Sequence, residues 1–234
     1  MSETSSKQLM LLDQIQEALA FPTPKNGVLQ GARKLRKGLP GKRVVFFHSV
    51  KNNALMPTES RLESANCLHL EFSQITQKYR TQPFKMSLHA GATYTPDFVY
   101  LDKKGIPTIQ EVKFSGALCD PKVLSLHRKV RDICHRNNVN FHVVTEKPLT
   151  LEPIFYNLNY IYRGARIGMN ELQVSSALNA IESRSLTLGE LREQLQKLDL
   201  PSISAEHLIF RNFLDYDRTK KLEVGSLIWV RENK

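Results

Sequence analysis

An α/β fold is predicted for this chain: a mixed sheet flanked by helices, followed by a small second domain. Three observations predict it. Short β-patterned runs alternate with amphipathic helical stretches through the first 150 residues. A tight turn, Lys103-Lys104-Gly105-Ile106-Pro107, joins two of those runs into a hairpin. After Thr150 the texture changes to helices that end in a short β-patterned tail, so the domains are drawn at 1–150 and 151–234.

The elements follow in order. Leu9, Leu12, Ile15 and Leu19 recur at helical spacing, and Pro22 and Pro24 end that helix. A glycine-punctuated, loop-rich basic segment follows, with one strand at RVVFFHS. TESRLESANCLHLEF reads as a helix, and Ser60 with Glu63 fits a capping box at its start. KYRTQPFKMSLH, TPDFVYL and TIQEVKF read as a three-stranded meander. Asp120-Pro121 is a strong helix start, and Asn137-Asn138 a left-handed stop. Val123, Leu126, Val130 and Ile133 form the inner stripe of that helix, while Lys122, Arg128, Lys129, Arg131 and Arg136 form a basic outer face. FHVVTE is then a strand. In the second domain, LEPIFYNLNYIYRG and MNELQVSSALNAIES read as helices. Thr187 and Glu190 form a capping box, Ser204 opens a further helix, and LEVGSLIWVRE reads as two short strands around Gly225-Ser226. Two helices followed by a hairpin is the pattern of a winged helix.

Composition narrows the class. With 41% hydrophobic and 24% charged residues the chain is ordinary for a soluble globular protein. No apolar run approaches membrane-spanning length and the first residues carry no signal-peptide pattern, so no membrane partner is expected and the expected location is cytoplasmic. Cys67, Cys119 and Cys134 form no CxxC and are expected as reduced, packed thiols. The net charge of +10 is unevenly spread. Between Glu17 and Glu59 there is no acid, while Lys25, Arg33, Lys34, Arg36, Lys37, Lys42, Arg43 and Lys51 accumulate there; from residue 151 onward acids and bases balance. A long acid-free basic block is matched to phosphate through counterion release, which makes Arg33, Lys34, Arg36, Lys37, Lys42 and Arg43 the candidate DNA-binding residues.

The chemistry-bearing residues are Glu63 in the helix, Asp97 in the first strand of the hairpin, and Glu111 and Lys113 in the second. Carboxylate oxygens are hard ligands for Mg²⁺, with Mn²⁺ as a substitute. Such ions activate water and stabilise the leaving oxygen of a phosphodiester. Lysine supplies a point charge for the developing phosphorane. Side chains alternate along a strand, so Glu111 and Lys113 share a face and Val112 points the other way. A solvated charged hairpin and a plain helix cap at Glu63 are the bland alternatives.

A helix glutamate followed by a hairpin bearing Asp and Glu-x-Lys resembles the PD-(D/E)xK nucleases, which implies a restriction-endonuclease-like sheet. The combination ESRLESANCLHLEF, YRTQPF, TPDFVYL, QEVKF and HVVTE, followed by a neutral winged helix, resembles TnsA, the endonuclease subunit of heteromeric bacterial transposases. The resemblance implies a metal site of Glu63, Asp97 and Glu111 with the main-chain oxygen of Val112, and a catalytic Lys113. It implies Gln82 in a supporting shell, with Glu59 the alternative helix glutamate. It further implies Mg²⁺-dependent cleavage of the 5′ strand of double-stranded DNA at transposon ends. The implied partners are the transposase TnsB and the AAA+ regulator TnsC, the latter docking on the C-terminal domain. Competing expectations are a stand-alone restriction or repair nuclease, a junction resolvase, and a non-catalytic DNA-binding adaptor.

Overall fold

The computed structural model describes residues 3–32, 44–88, 91–181 and 185–231, with side chains from Leu11 onward. The candidate DNA-binding residues Arg33, Lys34, Arg36, Lys37, Lys42 and Arg43 lie outside the described residues. The chain is mixed α/β and divides into two compact units, Met1–Thr150 and Leu151–Lys234. Among the described residues no helix is long and apolar enough to cross a membrane.

The first unit runs α1 (Glu3–Ala20), β1 (Val45–Ser49), β2 (Ala54–Thr58), α2 (Arg61–Phe72), β3 (Thr76–Thr81), β4 (Met86–Ser87), β5 (Thr93–Tyr94), β6 (Phe98–Asp102), β7 (Pro107–Val112), α3 (Pro121–Arg136), β8 (Asn140–Val144) and α4 (Glu146–Leu149). Its central sheet has the order β3-β6-β7-β8. The first three strands form an antiparallel meander. β8 adds parallel to β7, and α3 makes the crossover a parallel pair requires. Asp120 starts α3 by accepting the Lys122 N–H at 2.8 Å, with Pro121 behind it. Asn138 turns left-handed at its end (φ 53°).

Alternation decides which face each helix covers. Val99 and Ile109 project to one face, where they are buried with Leu11, Ile15 and Leu19 of α1 and Val130 and Cys134 of α3. The opposite face belongs to α2. There Asn66 donates to Gln110 at 2.8 Å, and the buried Glu71 accepts from Tyr79 at 2.8 Å, from Ser49 and from the Lys51 N–H. Burying a carboxylate is costly unless its oxygens find donors, and three donors satisfy this one.

The second unit comprises α5 (Ile154–Tyr162), α6 (Glu171–Ile181), β9 (Leu186–Thr187), α7 (Leu188–Lys197), α8 (Ser204–Phe210), β10 (Leu214–Tyr216) and β11 (Leu227–Val230). β11 lies centrally in a three-stranded sheet of order β10-β11-β9. The Thr187–Glu190 capping box is formed. Gly164 lets α8 approach closely, since a Cβ there would lie 2.5 Å from the His207 backbone nitrogen.

Several local expectations are corrected. The segment after β1 is not loop but an antiparallel partner, β2. The run at 78–89 breaks at Gln82, whose φ of 44° leaves the extended region, and resumes as β4 paired with β5. The C-terminal tail forms one strand, β11, because Leu222 is pinned by the Asn157 side chain (2.8 Å) and residues 223–226 close a turn. The hairpin partner of β11 is β10 instead. Ser204 is the first residue of α8 rather than its cap, and its hydroxyl is buried without a partner. All three cysteines are free, but Cys119 is exposed rather than packed.

Candidate active site

The antiparallel register of β6 and β7 assembles the site. Phe98 pairs with Gln110 and Val99 with Ile109. Continuing that register by one residue sets Asp97 directly opposite Glu111, and the Asp97 N–H reaches a Glu111 oxygen at 3.4 Å. Two carboxylates facing each other across a ladder repel, so the pairing requires compensation. Lys113 supplies it. Its Nζ lies 2.5 Å from Glu111 Oε1 and 3.3 Å from Asp97 Oδ2, and it donates to the Val112 carbonyl at 3.3 Å. The Val112 N–H donates to Asp97 Oδ2 at 3.0 Å. Tyr94, on β5, donates its hydroxyl to Glu111 Oε2.

The electrostatics follow from burial. Glu111 is 4% exposed, and Asp97 is nearly as enclosed, with 13% of its side chain accessible. Burial, reinforced by Glu111, pushes Asp97 up to about 6, against the pull of Lys113 and the Val112 N–H. Burial disfavours the Lys113 ammonium, but Asp97 and Glu111 outweigh it and hold its pKa above the usual lysine value. Burial also raises the Tyr94 phenol, and the neighbouring Glu111 raises it further. The phenol therefore stays a donor throughout the physiological range.

Glu63 stands apart in its bonding. Its Oε2 accepts the Glu59 N–H at 2.8 Å, its Oε1 accepts the Ser60 hydroxyl at 3.0 Å, and its N–H donates back to Ser60 Oγ at 3.0 Å. Only half of the expected capping box forms: Ser60 Oγ caps the Glu63 N–H, but the Glu63 carboxylate takes the Glu59 N–H and not that of Ser60. Burial raises its pKa, and so does the charge of Asp97, which places Glu63 within electrostatic reach of the hairpin carboxylates. Gln82 acts through its backbone. Its N–H donates to the Asp97 carbonyl at 2.8 Å, and its own carbonyl accepts the Ala32 N–H at 2.7 Å.

The donor set can be weighed against a divalent cation. Among the described residues no group of three or more His, Cys, Asp or Glu side chains is placed to hold a metal ion. What converges is two carboxylates and one main-chain carbonyl, all on the Lys113 ammonium. That ammonium is a stand-in cation, and the three oxygens around it are the hard donors that Mg²⁺ or Mn²⁺ takes.

Two site residues carried no signal in the motif reading. Tyr94 lies three positions before Asp97, and only the β4–β5 pairing brings its hydroxyl back to Glu111. His127 is 4% exposed on α3, packs edge-to-face on Phe141 with ring centroids 5.9 Å apart, and leaves Nε2 without a hydrogen-bond partner. Burial lowers its pKa, and Lys113 and Arg131 lower it further. It completes the apolar spacing between Val123 and Val130, a position where a histidine is legible as an inward-facing polar group. The outer face of α3 exposes Lys122, Arg128, Lys129, Arg131 and Arg136, with Arg131 5.7 Å from the centre of the Phe141 ring. No known family model matches the chain, and no curated protein is significantly similar to it.

Proposed function

We propose that the protein is a divalent-cation-dependent DNA endonuclease with a restriction-endonuclease-like catalytic unit. The observation that carries this reading is the convergence of Asp97 Oδ2, Glu111 Oε1 and the Val112 carbonyl on one cationic point. Asp97, Glu111 and the Val112 carbonyl would hold the cation, with Glu63 joining them only by giving up the Glu59 N–H and the Ser60 hydroxyl. A bound Mg²⁺ or Mn²⁺ supplies an activated water and charge stabilisation at the phosphodiester. Asp97 must shed its proton before it can serve as a ligand. Lys113 keeps its proton, so it acts as a fixed positive charge and donor toward the scissile phosphate and not as a base. The fold supports the reading: an antiparallel meander with one parallel strand added through a helix carries the acidic pair at one end of the sheet.

The biological setting rests on the motif resemblance to TnsA. It assigns the chain to 5′-strand cleavage at transposon ends, beside a TnsB-like transposase and a TnsC-like AAA+ regulator. In the second unit, the order of α6, β9, α7, α8 and the β10–β11 ladder supports a winged-helix reading, and its balanced charge favours a protein partner over DNA. The deciding experiment is strand-specific cleavage of a transposon-end duplex in Mg²⁺, with and without a co-purified partner transposase. Cleavage of the 5′ strand that depends on the partner is the expected result. Partner-independent cutting would instead identify a stand-alone nuclease, and absence of cutting under both conditions would refute the endonuclease reading.

A further inference from the structure

Glu111 is the more constrained of the two hairpin carboxylates. Its two oxygens have different surroundings. Oε1 faces the Lys113 ammonium at 2.5 Å. Oε2 receives the Tyr94 hydroxyl and, at the long distance of 3.4 Å, the Asp97 N–H. A glutamate has three side-chain torsions, and a free one distributes among many rotamers. Tyr94 is itself enclosed. It is 8% exposed, pairs across the strand with Met86, and belongs to the buried cluster that includes Leu11, Ile15, Leu19 and Phe84. The β4–β5 pairing and the buried cluster thus hold the phenol, and the phenol holds one carboxylate oxygen.

The geometry points to Tyr94 as a positioning residue that fixes Glu111 so that Oε1 alone is presented to a divalent cation. The inference rests on the metal-site reading above and adds to it a residue outside the acid-acid-lysine motif. Without the hydroxyl, Oε2 keeps only a marginal donor. The carboxylate then swings, and the cation must order it on binding. Hydrogen-bond partners of metal ligands commonly contribute about 10–100-fold in metal affinity.

The test is Mn²⁺ binding to the purified full-length chain, followed by the electron paramagnetic resonance of free Mn²⁺, beside the Mn²⁺ dependence of cleavage. Tyr94→Phe removes one oxygen and keeps the ring. Tyr79→Phe is the matched control, since Tyr79 also donates from a buried position to a glutamate, Glu71, at 2.8 Å on the other face of the sheet. The expected result is that Tyr94→Phe weakens Mn²⁺ binding by about 10-fold or more. Half-maximal cleavage should require correspondingly more Mn²⁺ in Tyr94→Phe, and Tyr79→Phe should bind Mn²⁺ as wild type does. Unchanged binding in Tyr94→Phe while wild type binds Mn²⁺ overturns the role of Tyr94 and leaves the metal site standing. Equal weakening in both variants overturns it too, by showing general loosening. A wild-type chain that takes up no Mn²⁺ overturns the metal-site reading together with this inference.

Discussion

Asp97 is where charge, stability and chemistry meet. Its ordinary carboxyl value is 3.8, and burial carries it to about 6. The folded protein therefore holds the proton more tightly than the unfolded chain does. The associated stability is present below about pH 4 and is lost as pH rises through about 6, amounting to about 2–3 kcal/mol in the metal-free protein. Asp97→Asn removes this dependence. The variant should unfold at a higher temperature than wild type at pH 8, yet cut no DNA; thermal scans at pH 4 and pH 8 with a cleavage assay check both. Metal binding runs in the opposite direction, because the ligand must be ionised. Mn²⁺ affinity should fall as pH drops through about 6. Glu63 faces a different conflict, between its bonds to the Glu59 N–H and the Ser60 hydroxyl and joining the site. Glu63→Ala leaves the Ser60 cap in place but removes the acceptor of the Glu59 N–H and the Ser60 hydroxyl; it should cost about 1–3 kcal/mol and also abolish cutting at temperatures where it remains folded. Glu59→Ala should cut normally. Reversal of the two cleavage outcomes would move the ligand to Glu59.

At the scale of elements, the hairpin of β6 and β7 carries the site because strand alternation and a tight turn dictate its register. Those features are local, and Asp97, Glu111 and Lys113 were legible for that reason. The α3 start at Asp120-Pro121 and the Thr187–Glu190 box were legible on the same grounds. Tyr94 was not, since its role depends on the β4–β5 pairing, which begins only after Gln82 turns the chain out of the extended region. β2 escaped notice because Pro57 weakens a strand pattern, although a sheet edge tolerates proline. Gly164 exposes an analogous dependence in the second unit. Gly164→Ala would drive a methyl into the α8 backbone and should destabilise that unit by about 1–3 kcal/mol, readable as a lowered unfolding midpoint, while Mn²⁺ binding in the first unit stays unchanged.

For the whole molecule, charge is the organising quantity. Residues 151–234 hold eleven acidic and eleven basic side chains, so the net +10 resides entirely in the first 150. Non-specific DNA affinity should therefore belong to the first unit. Neutralising Arg33, Lys34, Arg36 and Lys37 together should flatten the dependence of log K on log salt by about 3–4, at roughly 0.9 per phosphate contact. Removing residues 151–234 should leave that slope nearly intact and abolish capture of the AAA+ regulator. Salt titrations of both variants, with a pull-down, decide the matter; a slope that collapses on the C-terminal deletion would make the second unit the DNA reader.

The close approach at Gly31 has a genetic consequence. A Cβ there would lie 2.7 Å from the Gln82 Cβ and 2.9 Å from the Gln82 carbonyl oxygen, the acceptor of the Ala32 N–H. Gln82 in turn holds the Asp97 carbonyl. Any side chain at position 31 must push on a peptide that touches the aspartate's own backbone. Selection for inactive alleles should therefore recover Gly31 substitutions alongside changes to the acidic residues, although position 31 bears no chemical group and lies far from them in the chain. Second-site suppressors of such alleles should map to Thr81 and Gln82, the residues with which it competes for space.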